Sequence, residues 1–347
     1  MKKLTMAIGL AASLISTSAL AKVNLSAETG PPVSVPGVAV LGLAEIATNA
    51  GVADIQVAAG QTLTNSIQNV AEGKTDISAA PFLLTFLLSK GAGPYAALGA
   101  EKGAELADNL AVLYTYRFGT YALSAYESKN FGGWDAVEGK TIFNGPPRGA
   151  ALNRARALVQ LSTGLEDGKG YTGLQVNWGQ AIKTMTDGTA DAHVLPVNFP
   201  DGRHGQAAAA GAMVIYSMPK DKYESAGAQK YMKAPGSVGM SVEITENLFG
   251  PNIRAESEDS TFRGIAEVGG EVVQKSMDEE TAYQITKVFL DKIDVIKNKA
   301  PFMPTIWLGE TDPGKTGMCG PVAVKYHPGA VRAWEEAGYT LPACAKP

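Results

Sequence analysis

The sequence has 347 residues, of which 45% are hydrophobic and 18% charged, with 30 basic against 34 acidic side chains. This composition is typical of a globular protein with one large domain or two ordinary ones, and it excludes an intrinsically disordered chain. A mildly acidic chain without a basic run also argues against binding to nucleic acid or to an anionic membrane surface.

The first 21 residues have the pattern of a secretory signal peptide. Lys2 and Lys3 precede a mostly apolar stretch, which ends in the small-residue cleavage pattern Ala19-Leu20-Ala21. An N-terminal membrane anchor is the alternative, but three serines and a threonine interrupt the apolar stretch. We predict cleavage after about Ala21 and a periplasmic protein with no stable membrane insertion.

Residues 23–119 alternate helix and strand signals. The sequence predicts a helix from Val38 to Thr48, a strand from Asp54 to Ala58, a helix with Ser66 as its N-cap, and a strand from Asp76 to Ala80. This order is typical of a mainly parallel sheet covered by helices, and so of the α/β class.

A second unit begins near residue 120, and the Gly/Pro-rich stretch Ala234–Gly239 marks its later boundary. Asn247–Ser260 is a predicted loop. The predicted strands are Ala122–Tyr126, Lys140–Phe143, Ala192–Val197 and Ile265–Val273. The predicted helices follow Gly149, cover Gln180–Thr186 and Glu279–Lys297, and run from Pro328 to Gly338.

Cys319 and Cys344 are the two cysteines of the chain. In an oxidising compartment, two cysteines 25 positions apart predict one disulfide. A zinc site is the alternative, but the three histidines show no ligand spacing. We therefore predict the disulfide and no metal.

The segment from Gly309 to Thr316 matches the phosphate-loop pattern G-x-x-x-x-G-K-T. That loop requires a helix beginning at its Lys-Thr, whereas Gly317 and Pro321 follow here. We interpret the segment as a turn-rich loop beside Cys319 and predict no cofactor. The sequence has no nucleophile elbow, free cysteine or zinc-protease motif, so we predict no catalytic residue.

Two strand-to-helix turns, Thr62–Ser66 and Gly145–Ala150, carry the residue types of an anion site. Helix N-termini attract anions through unpaired N–H groups and the helix dipole. Arg148 adds a planar donor suited to a carboxylate. The alternatives are helix capping for the first turn, and a surface arginine or interdomain salt bridge for Arg148.

These features together resemble the TAXI family of solute-binding proteins from TRAP transporters. Its motifs are similar to six segments of this sequence in order: Ser66–Asn69 with Gly73–Asp76, Trp134–Thr141, Gly145–Gly149, Asp187–Gly188 with Asp191–Ala192, Ala282–Lys287, and His327–Ala330 with Glu335 and Gly338. Three positions depart from the family pattern, namely Asn65, Pro81 and Arg148. The family's usual ligands therefore do not transfer to this chain.

The resemblance implies a two-lobed type II periplasmic binding protein, each lobe having a mainly parallel sheet flanked by helices. Lobe one comprises residues 22–119 and 256–347, lobe two comprises 120–255, and two crossing segments form the hinge. The predicted ligand-binding residues are Thr29, Gly30, Thr62, Thr64, Asn65, Ser66, Pro81, Tyr116, Pro147, Arg148, Gly149, Ala150 and Asn198.

The implied function is capture of a small organic acid or amino acid between the lobes and its delivery to the membrane subunits of a TRAP transporter. The arginine favours a carboxylate. One alternative is a binding protein that serves a sensor or another uptake system. The other is a secreted hydrolase, whose catalytic residues would be assembled only in space.

Overall fold

The computed structural model describes residues 22–347. The predicted signal peptide, residues 1–21, lies outside this described part. Within 22–347, the helices all fall short of the length and apolar character needed to cross a bilayer.

Strands and helices alternate along the chain, which confirms the predicted α/β class. The strands are β1 (Val23–Glu28), β2 (Ala53–Ala58), β3 (Ile77–Pro81), β4 (Leu110–Tyr126), β5 (Thr141–Phe143), β6 (Thr172–Leu174), β7 (Ala192–Val197), β8 (Met213–Tyr216), β9 (Ser237–Glu243), β10 (Ile253–Glu256), β11 (Thr261–Gln274) and β12 (Lys325–Tyr326). The α-helices are α1 (Val35–Asn49), α2 (Leu63–Ala71), α3 (Phe82–Ser89), α4 (Gly99–Asp108), α5 (Ala150–Thr163), α6 (Ala181–Thr186), α7 (Gly202–Ala207), α8 (Lys220–Tyr223), α9 (Ala226–Tyr231), α10 (Glu279–Lys297), α11 (Pro313–Thr316) and α12 (Pro328–Glu336).

The strands form one sheet whose main path runs β2-β1-β3-β11-β4-β7-β5-β6. At one end, β1 is parallel to both β2 and β3. At the other, β5 is parallel to both β6 and β7. The central strands β11 and β4 run antiparallel to each other and to their outer neighbours β3 and β7. Each half of the sheet therefore has the predicted parallel core.

The two central strands pass from one half of the sheet to the other. The C-terminal part of β11, Gly269–Val273, pairs with β3, while its N-terminal part, Thr261–Glu267, pairs with β9. Likewise β4 pairs with β12 near its start and with β7 and β8 near its end. The predicted strands Ala122–Tyr126 and Ile265–Val273 are therefore only segments of longer strands.

Helix α10 has the bounds that the sequence predicts. It begins at the N-cap Asp278, whose carboxylate accepts the N–H of Thr281 at 2.9 Å. Its buried face includes Phe289, whose ring stacks on Tyr114 of β4 with 3.7 Å between centroids. The apolar residues whose spacing predicts the helix thus also pack it against the central strand β4.

Three local predictions are wrong. Ser66 is not an N-cap: α2 begins one turn earlier, after Thr62, and the buried Ser66 hydroxyl donates to the Thr62 carbonyl at 3.4 Å. The predicted loop Asn247–Ser260 contains β10, which pairs with β8. The stretch Ala234–Gly239 does not separate two units cleanly, because β9 starts within it and pairs with β11. Pairing with distant strands, which local polarity does not register, causes the last two differences.

The phosphate-loop lookalike contains a short helix that the sequence analysis did not anticipate, α11. Its N-cap Asp312 accepts the N–H of Gly314 at 2.8 Å, and Gly317 ends it in the left-handed region at φ 70°. Lys315, in the last turn, lies 2.8 Å from Glu310. The Lys-Thr pair thus ends a helix instead of beginning one, which is the reverse of a phosphate loop.

The predicted disulfide between Cys319 and Cys344 is present, with the two Cα atoms 5.4 Å apart. It closes a loop over a sequence separation of 25 residues. We expect the double variant Cys319→Ser/Cys344→Ser to lose about 3 kcal/mol of unfolding free energy, because its unfolded chain regains the loop's conformational entropy. Urea denaturation of both proteins measures this, and a reducing agent should destabilise only the wild type. Equal midpoints for the two oxidised proteins would contradict the expectation.

Candidate functional site

A cleft of about 730 Å³ is lined by residues from both halves of the sheet. On one side lie the start of α1, the turn before α2, and Pro81 at the end of β3. On the other lie the turn before α5 and the segments around Trp178 and Asn198. Glu267, on the central strand β11, also contributes. The cleft therefore sits where helices begin after strands of the two halves.

The structure brings most of the predicted site residues together in this cleft. Those lining it are Gly30, Thr62, Thr64, Pro81, Arg148, Gly149, Ala150 and Asn198. The predicted residues that do not line it are Thr29, Asn65, Ser66, Tyr116 and Pro147. Three of these, Thr29, Ser66 and Tyr116, are buried, whereas the other two have exposed side chains next to cleft residues.

Tyr116 lies under the cleft wall instead of in it. Its hydroxyl donates to the carboxyl of Glu271 at 2.7 Å, and its ring stacks on Phe118 at 4.8 Å between centroids. Phe118 in turn lines the cleft. Tyr116 is thus buried beside a residue of the cleft wall and does not itself line the cleft.

The N-termini of α2 and α5 meet across the cleft. Within the described residues neither helix has a side-chain cap, because the N-cap residues Thr62 and Gly149 provide no side-chain acceptor to the first N–H groups. Gly149 has φ 96°, and a β-carbon there would lie 3.1 Å from the hydroxyl of Thr64. The two predicted turns therefore face each other at close range, and both present the positive ends of helix dipoles.

Two arginines in the cleft form no salt bridge with any residue of 22–347. Arg148 is exposed beside the start of α5. Arg203 is half-buried, and its guanidinium carbon lies 4.5 Å from the ring centroid of Trp178. Burial lowers the pKa of Arg203, and nearby Asp201 partly offsets that effect. The cleft thus holds two guanidinium groups without a carboxylate partner in the described chain.

The two acidic residues that line the cleft, Glu267 and Asp201, both interact with other residues of the protein. The Glu267 carboxyl lies 3.5 Å from the guanidinium of buried Arg154. Burial raises the pKa of Glu267, and Arg154 opposes this rise. Asp201 accepts the N–H of His204 at 2.8 Å and that of Asn198 at 2.9 Å. Their negative charges are therefore locally compensated, and the arginines dominate the electrostatics of the cleft.

Asp201, His204 and Ser124 have the spacing of a hydrolase triad, which the sequence analysis did not find. Nδ1 of His204 lies 2.7 Å from Asp201, and its Nε2 lies 3.0 Å from the hydroxyl of Ser124. Ser124 is fully buried in the middle of the sheet on β4. A substrate cannot reach that hydroxyl without opening the sheet. The hydrogen bonds among Asp201, His204 and Ser124 therefore stabilise the segment behind the cleft and do not activate a nucleophile.

Sequence reasoning missed the aromatic lining of the cleft. Phe118, Tyr121, Trp178 and Phe302 contribute to its wall. They come from β4, from the segment before α6 and from the segment after α10. No local signal separates a cleft aromatic residue from a core one, since the two differ only in what the folded chain places opposite them.

Several solved structures resemble this one distantly. A protein from Bordetella bronchiseptica RB50 shares 15% identity, with 93% of this chain and 91% of that one covered and a TM-score of 0.49. The periplasmic aliphatic sulphonate binding protein SsuA from Escherichia coli shares 9% identity, with 79% of this chain and 78% of that one covered and a TM-score of 0.43. A TRAP periplasmic solute binding protein from Chromohalobacter salexigens with bound D-glucuronate shares 12% identity, with 78% of this chain and 80% of that one covered and a TM-score of 0.45.

No curated protein sequence matches the chain. The sequence model of the NMT1-like family, in contrast, matches residues 34–338, which is most of the described chain and includes every segment of the cleft except Gly30 to Val33. The chain therefore belongs to the NMT1-like family of periplasmic binding proteins, which bind solutes and are not enzymes.

Proposed function

We propose that the protein is an exported periplasmic receptor that captures a small organic anion, a carboxylate or an amino acid, in the cleft. In this proposal lobe one comprises residues 22–119 and 256–347, and lobe two comprises 120–255. The captured solute is delivered to the membrane subunits of a TRAP transporter. The observation that carries the proposal is the meeting of two helix N-termini beside Arg148, where residues 22–347 provide neither a side-chain cap for the helices nor a salt bridge for the arginine.

The electrostatics support an anionic solute. Helix N-termini stabilise negative charge, and a guanidinium binds a carboxylate through two parallel N–H donors. The acids of the cleft, Glu267 and Asp201, already interact with Arg154 and His204. A bound carboxylate would therefore compensate positive charge without facing an unpaired carboxylate of the protein.

The two central strands support a closing motion. Both β4 and β11 continue from one half of the sheet into the other, so they are the connections at which the lobes can rotate. A solute that contacts Thr64 on one side and Arg148 on the other binds the closed form more tightly than the open form. The closed form is then the species that docks on the membrane subunits.

The proposed TRAP partner and TAXI subfamily rest on the six segments of the sequence that resemble motifs of that family. Export rests on the signal-peptide pattern of residues 1–21. A direct test of the partner is uptake by cells: deletion of the gene for this protein and deletion of the genes for the transporter's membrane subunits should abolish uptake of the same solute. Uptake that persists without the membrane subunits would assign the receptor to another system.

We expect Arg148→Gln to weaken binding of the solute about 10- to 100-fold, because a charge-assisted hydrogen bond contributes about 1.5–3 kcal/mol. Thermal unfolding against a panel of carboxylates, amino acids and sugars first identifies a ligand, and titration calorimetry then measures its Kd. A ligand at 100 times its Kd stabilises the protein by about 2.7 kcal/mol.

The matched control for this experiment is Arg156→Gln. Arg156 is an exposed arginine on α5, pairs with Asp167 at 2.7 Å and does not line the cleft. Arg156→Gln removes the same charge from α5 itself, whereas Arg148 lies in the turn before α5, so the control reports any general electrostatic effect of losing a positive charge in this region. An unchanged Kd in Arg148→Gln, or equal losses in both variants, would contradict the proposed site.

A further inference from the structure

The cleft has an aromatic wall that the proposed binding of an anion does not explain. Phe118, Tyr121, Trp178 and Phe302 all line it. Prolines add more apolar surface, including Pro81 and Pro196. Polar side chains such as Thr62 and Asn177 line other parts of the cleft, whereas this wall is apolar. Trp178 is its partly exposed member, and the other three rings are buried.

Trp178 is held in place from two directions. The guanidinium of Arg203 lies over its ring at 4.5 Å from the centroid. At its edge, Gly145 leaves room for the indole, since a β-carbon there would lie 3.2 Å from the Cη2 atom of Trp178. Trp178 is only partly buried despite these contacts. The indole ring is thus held in a fixed position, and part of its surface remains exposed and able to contact a solute.

Phe118 is also fixed before any solute binds. Its ring stacks on Tyr116 with 18° between the planes, and the Tyr116 hydroxyl is anchored by Glu271 on the neighbouring strand. Rigid aromatic groups bind flat partners at low entropic cost, because few rotamers are lost. The wall is therefore suited to a planar group more than to a flexible aliphatic chain.

We propose that the solute is an aromatic carboxylate, whose ring packs against Trp178 while its carboxylate is bound by Arg148 and the N-terminus of α5. This inference rests on the proposed function and narrows its class of solute. The arginine accounts for the anionic end, and the aromatic wall accounts for the body of the molecule. Planarity is the decisive property, because offset stacking requires a flat π-face.

The test is titration calorimetry with aromatic carboxylates, with saturated carboxylates matched in size to two of them, and with small polar acids. The aromatic probes are benzoate, 4-hydroxybenzoate, phenylacetate and indole-3-acetate. The matched saturated probes are cyclohexanecarboxylate and cyclohexylacetate, and glutamate and succinate represent small polar acids. We expect the best aromatic probe to bind about 3- to 10-fold more tightly than its saturated counterpart, and to quench tryptophan fluorescence.

Three variants separate stacking from general packing. Trp178→Ala should weaken the best aromatic probe at least about tenfold and abolish most of the quenching, whereas Trp178→Phe should keep affinity within about threefold. The control Tyr339→Leu removes an exposed aromatic side chain that does not line the cleft, and should leave the Kd unchanged. Thermal unfolding of each variant without ligand confirms that it is folded.

Two other outcomes overturn the inference in different ways. If saturated or small polar carboxylates bind as tightly as the aromatic ones, or if Trp178→Ala binds as the wild type does, the aromatic class is wrong. The proposed function then stands as long as Arg148→Gln weakens those other carboxylates. If no carboxylate of any class binds, the proposed function and the inference both fail.

Discussion

Replacement of Arg154 with leucine should lower the free energy of unfolding by about 3–5 kcal/mol, because it leaves a buried carboxyl without its charge partner. Both residues are buried, with relative exposures of 2% for Arg154 and 5% for Glu267. The guanidinium also donates to the Ser237 hydroxyl, and to the Pro235 carbonyl at 2.9 Å. Arg154 thus ties α5 to β11 and to the start of β9. Urea denaturation at pH 7 measures the loss.

Two further variants test whether the unpaired carboxyl causes this loss. The double variant Arg154→Leu/Glu267→Leu should be more stable than Arg154→Leu, because no buried charge then lacks a partner. Arg156→Leu breaks the ion pair between Arg156 on the same helix and Asp167, whose side chains are 45% and 14% exposed, and should cost no more than about 1 kcal/mol. A loss in Arg154→Leu no larger than that in Arg156→Leu would contradict the explanation.

The second large effect is expected from Glu271→Gln, which should stabilise the protein at pH 8 and change little near pH 4.5. Glu271 is fully buried, and burial raises the pKa of its carboxyl from 4.5 to about 8 in spite of the hydrogen bond from Tyr116. The folded protein therefore keeps this carboxyl protonated over a range in which the unfolded chain releases the proton. Stability must fall as pH rises through that range.

The expected loss of stability between pH 4.5 and pH 8 follows from the difference between the pKa of Glu271 in the folded protein and in the unfolded chain. A rise from 4.5 to about 8 corresponds to about 5 kcal/mol, at 1.36 kcal/mol per pKa unit. Glutamine keeps an acceptor for the Tyr116 hydroxyl but cannot ionise, so the variant avoids the loss. Urea midpoints of both proteins at pH 4.5, 6 and 8 measure the difference. The exposed Glu105→Gln is the control, and a difference between wild type and Glu271→Gln that does not grow with pH would disprove the assignment.

The sequence alone determined the features that depend on neighbouring residues. Helix α10 has its predicted bounds because its cap, Asp278, and its apolar face lie within one segment. The disulfide follows from there being only two cysteines. The sequence predicts a helix start after Arg148 and Gly149, because these residues and the apolar spacing that follows are adjacent in the chain, and α5 begins there. The α/β class follows from the order of such segments.

Predictions from local sequence were wrong where two residues were both suited to the N-cap position, and where a strand pairs with a segment distant in the chain. Thr62 and Ser66 both suit an N-cap, and the structure uses Thr62 because the chain is extended there and Ser66 is already within α2. The segment Ile253–Glu256 is polar enough to resemble a loop, but it pairs with β8. Pairing of this kind supplies hydrogen bonds that the segment cannot make by itself.

Only the tertiary structure decided the composition of the cleft. Arg148 and Thr64 are far apart in the chain, yet they belong to turns that meet across the cleft. The acids near the arginines, Glu267 and Asp201, interact with Arg154 and His204, which no spacing in the sequence reveals. The aromatic wall combines Phe118 and Tyr121 of β4 with Trp178 and Phe302 from two distant segments of the chain. Such contacts depend on long-range register, whereas sequence patterns report local conformation and burial.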